Sequence, residues 1–271
     1  MSAVLARPAP GDQAEGLRRM LGLHLPRVVN LVAGCAGTGR TTLAVHLAAA
    51  LAREGRRVLL VDGCRRMGNA CDVLGLKPRY ELAHALSGER ALEDVVQRAP
   101  GGFMLLPAAR GLQMLEAAPQ DAPAPLARLL GAADVALVDA AAGEAGLLRL
   151  ALHARQEAIV TTTAGADAIT RTYAWLKRGL PAQAGARLRL VVCRAASEHE
   201  ARAVHDNLAD VAGRHLGLGL RFLGALGWDP ALARARAAAP LGEASAARLR
   251  AIAARLYDDT GAAQAWPRKA A

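Results

Sequence analysis

The sequence predicts a single α/β domain in which a mostly parallel central sheet is covered by helices on both faces, a three-layer α/β/α arrangement. Three observations carry this reading. From Arg27 onward, short apolar runs alternate with stretches of helical periodicity. Those runs are mostly continuous rather than alternating with polar residues, as expected for parallel strands buried on both faces. With 271 residues, 53% hydrophobic and 21% charged, the chain is long and apolar enough to bury one such core.

The elements follow in order. VVNLVA (28–33) reads as the first buried strand, with Asn30 its one polar interruption, and Thr41 to Ala52 as the helix after it. RRVLLVD (56–62) is the second strand. FMLL (103–106), VALVD (135–139), EAIVTTT (157–163), LRLVVC (188–193) and LRFLGALG (220–227) follow as further strands. Helical periodicity fills the intervals, most clearly over Ala168–Gly179 and Glu198–His215. The Pro-rich DAPAP (121–125) reads as a surface loop. In such a fold, ligands are expected at the carboxyl ends of the strands.

Three segments are expected: 1–26, a domain over 27–257, and a C-terminal tail over 258–271. The first opens with a loose Ala/Pro stretch. It continues with Ala14, Leu17, Met20 and Leu21 on one helical face, and Pro26 ends that helix. The helix suits either a cap packed on the domain or a docking segment on a flexible lead. Near the other end, Leu249, Ile252, Ala253 and Leu256 share a face beside Arg248 and Arg255. Packing on the domain is the expectation there, with peripheral membrane contact as the alternative.

Composition excludes several classes. Every apolar run is interrupted well short of the roughly 18 residues that span a bilayer, and no secretory leader pattern opens the chain. A cytoplasmic protein is expected. The net charge of +10 comes almost wholly from arginine, with only Lys77, Lys177 and Lys269 as lysines. The charge is dispersed, so a solvated surface is expected rather than a nucleic-acid-binding face. Cys35, Cys64, Cys71 and Cys193 make no CxxC pair, and the histidines show no metal-ligand spacing.

The chemistry concentrates after the first strand, at Gly34-Cys35-Ala36-Gly37-Thr38-Gly39-Arg40-Thr41-Thr42, where a helix begins. This is the phosphate-binding pattern G-x-x-x-x-G-K-[ST] with arginine in place of lysine. Glycines let the backbone wrap a phosphate and aim its N–H groups inward, and the helix N-terminus adds positive potential. Thr41 offers a hydroxyl to Mg²⁺. A broad, planar guanidinium cannot thread this loop as lysine does, although it can still pair with phosphate oxygens. A dinucleotide loop is a poorer match because the third glycine of G-x-G-x-x-G is missing. A ligand-free glycine turn remains the other alternative.

These residues resemble the MinD/ParA family, whose deviant P-loop reads K-G-G-x-G-K-T-T. Cys35 then stands at the signature lysine, Ala36 at a glycine and Arg40 at the loop lysine. Val58 to Asp62 with Gly63 and Cys64 is similar to the family's V-L-L-V-D-x-D, and Gly68 to Leu76 to the stretch that follows it. Val135 to Asp139 with Gly143 resembles the second acidic strand. Ile159 to Thr163, Ala168 to Thr170 and Tyr173 parallel a strand-loop-helix of the flagellar branch. Val191 to Arg194, with Glu200 and Ala201, follows its V-V-N-R and E-A pattern. Asp12-Gln13-Ala14-Glu15-Gly16-Leu17-Arg18 fits the D-Q-A-x-x-L-R segment of the FlhG group, also called FleN or YlxH. The resemblance spans about residues 27 to 257 and this leading segment.

The resemblance implies a MinD-like P-loop NTPase fold. ATP or ADP would lie on residues 34–42 with Cys193 at the base, and Mg²⁺ at Thr41, Asp62 and Asp139. It further implies that Asp12, Gln13, Ala14, Leu17 and Arg18 dock on an FlhF-type GTPase. Gln13 would enter the partner's site and stimulate hydrolysis, a glutamine amide being suited to orient water. Flagellar switch proteins or a flagellar transcription regulator, a homodimer, and a location at the inner face of the membrane belong to the same implication. Cys35, Cys64 and Cys193 replace the cross-dimer lysine, the hydrolytic carboxylate and the adenine-contacting asparagine. Each lost electrostatic group of this kind costs about 10²–10³ in rate, so hydrolysis is expected to be weak or lost. Two alternatives stand beside this: a nucleotide-free scaffold, and an active partition or positioning ATPase. Loss of catalysis with drift to small residues is the expectation for the three thiols, with a redox or metal pocket as the alternative.

Overall fold

The computed structural model describes residues 27–117, 124–139, 157–179, 187–233 and 241–258. The expected docking segment (Asp12 to Arg18), Gly143 and the tail from 259 lie outside the described residues.

Eight strands form one sheet: β1 (Arg27–Ala33), β2 (Val58–Asp62), β3 (Gln97–Arg98), β4 (Met104–Pro107), β5 (Val135–Asp139), β6 (Glu157–Thr163), β7 (Arg187–Cys193) and β8 (Leu220–Leu226). Their order is β3-β4-β2-β5-β1-β6-β7-β8. All pairings are parallel except that of β3 with β4. The mostly parallel three-layer sheet is therefore as predicted. The addition is β3, a two-residue antiparallel edge of Gln97 and Arg98 that is too short and polar to leave a period-2 signal.

The helices are α1 (Arg40–Arg53), α2 (Ala70–Leu74), α3 (Leu82–Leu86), α4 (Leu92–Val95), α5 (Ala109–Ala117), α6 (Ala124–Ala132), α7 (Ala166–Gly179), α8 (Glu198–Leu216), α9 (Pro230–Ala233) and α10 (Glu243–Asp258). DAPAP is not wholly loop, because α6 begins at Ala124 with Pro125 in its first turn, where a missing N–H costs nothing. Helix α8 has clear punctuation. The Ser197 hydroxyl accepts from the Glu200 N–H, the Glu200 carboxylate accepts from the Ala196 N–H, and Gly217 at φ 65° closes the helix.

Strand alternation sorts the core into layers. Val58, Leu60, Val135 and Leu137 face α1 and α10, whereas Leu59, Val61, Ala136 and Val138 face the opposite way, toward α3 to α6. On that second face, beyond β1, Val160, Leu190 and Val192 pack beneath α7 and α8.

The C-terminal helix resolves the choice left open by its sequence. Leu249, Ile252, Ala253 and Leu256 are all buried in the α1 layer. Ile252 lies so close to β8 that a Cβ at Gly224 would sit 2.6 Å from its Cγ1. The Arg255 guanidinium donates to the Leu223 carbonyl at 3.2 Å, and Arg27 and Arg56 cover the Tyr257 ring at 5.1 and 4.7 Å. The apolar stripe therefore belongs to the core, as the packing reading expects. Ile252→Ala is expected to lose about 2–5 kcal/mol of stability in urea unfolding. A loss below about 0.5 kcal/mol, typical of a surface site, would contradict this docking. No helix among the described residues is long and apolar enough to cross a membrane.

Candidate functional site

The parallel register brings the two acidic strand ends together. Asp62 and Asp139 are direct neighbours on β2 and β5, and β1 flanks β5 on its other side. The glycine loop leaves β1 between β5 and β6, and turns into α1 through Gly37 (φ 79°) and Gly39 (φ 84°). Both angles favour glycine. Gly39 is the N-cap residue of α1 and has no side chain to cap the first N–H groups. Residues 34–39 thus form a backbone cradle ahead of a 14-residue helix whose first turn is Arg40 to Thr42, which is what an anionic phosphate requires.

Neighbouring elements fix the loop. The Thr38 hydroxyl is buried 2.9 Å from that of Thr161, which in turn donates to the Val32 carbonyl. Thr172 of α7 ties to Thr162 at 3.1 Å. Gly34 lies against α7 so closely that a Cβ would come within 2.6 Å of the Arg171 carbonyl and the Thr172 backbone. At the far side, Cys193 ends β7, and a Cβ on Gly39 would meet its Cβ and Sγ at 3.2 Å. The family pattern includes Thr161 and Thr162 without assigning them a site role, and it does not include Thr172. The run Thr161 to Thr163 at the end of an otherwise apolar strand is the signal that points to them.

The replaced lysine has a definite partner. Arg40 Nε donates to Asp139 Oδ1 at 2.6 Å, and the Thr41 hydroxyl donates to Asp139 Oδ2 at 2.7 Å. Asp139 is fully buried and the Arg40 side chain is 11% exposed, so the pair is little screened. Asp62 is held differently. Its Oδ1 accepts from the Cys64 N–H at 3.2 Å and its Oδ2 from the Cys71 N–H at 3.0 Å. Burial pushes the Asp62 carboxyl up to about 6, with the nearby Asp139 carboxylate adding to the rise against these N–H donors.

Of the groups the fold implies, the phosphates fit this loop, but a divalent ion bound directly to Asp139 does not. Each oxygen of Asp139 accepts from a side chain of the loop, one of them a permanent cation. A dication beside Asp139 would also face the Arg40 guanidinium. Two unit charges about 4 Å apart near a protein surface repel by about 4 kcal/mol, and a dication doubles that.

The thiols lie in different surroundings. Cys64 shares its surroundings with Cys71, and both line a 360 Å³ cavity beyond β2 and β4 together with Asp62, Tyr80, His84 and Arg110. Cys35 is half-buried in the loop, and Cys193 is buried against Gly39. Burial pushes the Cys193 thiol up to about 12 and raises Cys71 as well, so both stay protonated and unreactive near neutral pH. No group of three metal-ligating side chains occurs among the described residues, and all four cysteines are free.

A parallel sheet with a glycine cradle at a strand end, two aligned acids and a helix N-terminus defines a P-loop nucleotide-binding domain with a degenerate site. The comparisons agree with this class. The CobQ/CobB/MinD/ParA nucleotide binding domain family matches residues 30–239, more than half of the chain, so the chain belongs to the MinD/ParA family, on its FlhG branch. The chain is 31% identical to the antiactivator FleN of Pseudomonas aeruginosa over 223 residues, covering 81% of this chain and 80% of FleN. It is 27% identical to the flagellum site-determining protein YlxH of Helicobacter pylori over 230 residues, covering 79% and 78%. Among solved structures, the cell division ATPase MinD of Pyrococcus furiosus matches with a TM-score of 0.63 and 26% identity, over 86% of this chain and 98% of that one.

Proposed function

We propose that this chain is an FlhG-type regulator of flagellar number and placement. One observation carries the reading: the likeness to the antiactivator FleN extends over four-fifths of both chains, so it is not confined to the phosphate loop. The likeness to YlxH, named for determining the flagellum site, points the same way. In this reading Asp12, Gln13, Ala14, Leu17 and Arg18 dock on an FlhF-type GTPase, with Gln13 orienting the attacking water in the partner's site. The domain over 27–257 presents that segment and acts in the cytoplasm, with flagellar switch proteins or a flagellar transcription regulator as further partners. A homodimer formed by this domain is part of the same reading.

The nucleotide site is proposed to bind ATP or ADP through residues 34–42 with Cys193 facing the base, and to hydrolyse ATP little or not at all. Support comes from the side chains that stand at the reacting end. Arg40 is drawn onto Asp139, and Cys64 has no carboxylate to position water. Cys35 supplies no cation across a dimer, and the two losses together leave little to stabilise developing charge. The site then works as a switch of occupancy rather than a motor.

The test is a GTPase assay of the FlhF-type partner with the full chain. Wild type is expected to accelerate GTP hydrolysis, by a factor within the roughly 10³–10⁵ range seen when a water- or charge-positioning group is supplied in trans. Gln13→Ala is expected to lose most of that acceleration while still binding the partner. Equal stimulation by both proteins refutes the role of this segment.

A further inference from the structure

We propose that this phosphate loop takes its nucleotide as the metal-free anion, with Arg40 serving as the fixed counter-ion of Asp139 in place of a divalent cation. The proposal rests on the reading that a nucleotide binds here, and it deepens that reading by naming the charge state of the ligand. The geometry is specific. Arg40 is the first residue of α1, and its Nε reaches Asp139 Oδ1 at 2.6 Å. The Thr41 hydroxyl, the group that would face a metal, is turned onto Asp139 Oδ2 at 2.7 Å. One carboxylate thus receives both side chains of a loop pair that would otherwise address metal and phosphate.

Two physical consequences follow. First, the guanidinium cancels the charge of Asp139 inside a buried site, so the attraction that would draw a dication to that carboxylate is already used. Second, a guanidinium cannot be deprotonated in a protein, so this counter-ion cannot be removed by a change of pH. A dication bound directly to Asp139 would have to displace Arg40 from a buried carboxylate. The other acid, Asp62, has one oxygen tied to the Cys64 N–H and the other to the Cys71 N–H. What remains open to a ligand is the backbone cradle at Gly37 to Gly39 and the N-terminus of α1, which recognises phosphate without a metal.

The experiment is an equilibrium titration of the full-length protein with a fluorescent adenosine diphosphate and triphosphate, in excess EDTA and in excess MgCl2. Arg40→Lys is titrated alongside. Wild type is expected to bind with the same Kd in both buffers, within about twofold, whereas magnesium tightens Arg40→Lys by about tenfold or more. Tightening of wild type by magnesium by about tenfold or more overturns the proposal, and this arm decides alone if Arg40→Lys does not fold. Wild type silent in both buffers while Arg40→Lys binds with magnesium overturns metal-free binding but leaves the loop a nucleotide site. Silence of both folded proteins in both buffers overturns the nucleotide reading itself.

Discussion

Glu157→Ala is expected to lose about 3–5 kcal/mol of folding stability, the largest effect of any single substitution proposed for this chain. Glu157 opens β6 and is 3% exposed. It accepts from Arg27 at 3.1 Å and 2.6 Å, and from Arg189 at 2.5 Å. Arg189 lies in the middle of β7 at 1% exposure, so removing the carboxylate takes a charged acceptor away from a fully buried guanidinium. The cost comes from the lost acceptor of a desolvated charge and not from the pair's intrinsic strength. Glu157→Leu combined with Arg189→Met is therefore expected to recover part of the loss, the part due to Arg189, while Arg27 at 12% exposure still loses its acceptor. Urea unfolding of the single and double variants checks both statements. A loss below about 1 kcal/mol for Glu157→Ala, as for an exposed pair, would falsify the buried-charge account.

Gly34→Ala is expected to cost about 1–3 kcal/mol from overpacking against backbone at the phosphate loop itself. The added methyl would lie 2.6 Å from the Arg171 carbonyl and from the Thr172 N and Cα. These are backbone atoms of α7, so no side chain can swing aside. Helix α7 must move away from the glycine loop, which also strains the Thr172–Thr162 contact at the end of β6. The readout is a fall in thermal midpoint of about 2–4 °C per kcal/mol for a chain of this size. An unchanged midpoint in Gly34→Ala would show that α7 does not press on the loop. Gly37→Ala serves as the contrast: its Cβ would meet nothing within 4 Å, leaving only the strain of φ 79°.

Much of this architecture was legible in the chain. Apolar β-branched runs marked seven of the eight strands, because burial on both faces leaves no room for polar alternation. The phosphate loop was legible because its glycines answer a backbone requirement, seen at Gly37 and Gly39, and such requirements are written locally. Edges were less legible. Strand β3 has two residues and is defined only by its antiparallel partner β4. The start of α6 at Ala124 was hidden by prolines that a first helical turn accepts. The role of the C-terminal helix was ambiguous for a different reason: an amphipathic stripe states that a face will be covered but not by what. Contact with β8 and α1 answers that.

The sequence by itself determined the fold class, the position of the glycine loop, and which charged groups of the family pattern had been exchanged at Cys35, Arg40, Cys64 and Cys193. It could do so because periodicity and motif spacing are properties of residues close together along the chain. Only the tertiary structure decided what became of those exchanges. It put Arg40 on Asp139, 99 residues away, and tied Asp62 to the N–H groups of Cys64 and Cys71. It also set Cys193 against Gly39 and buried Glu157 between Arg27 and Arg189. Pairing between distant charges depends on strand order and register, and those are fixed only when the sheet closes around its core.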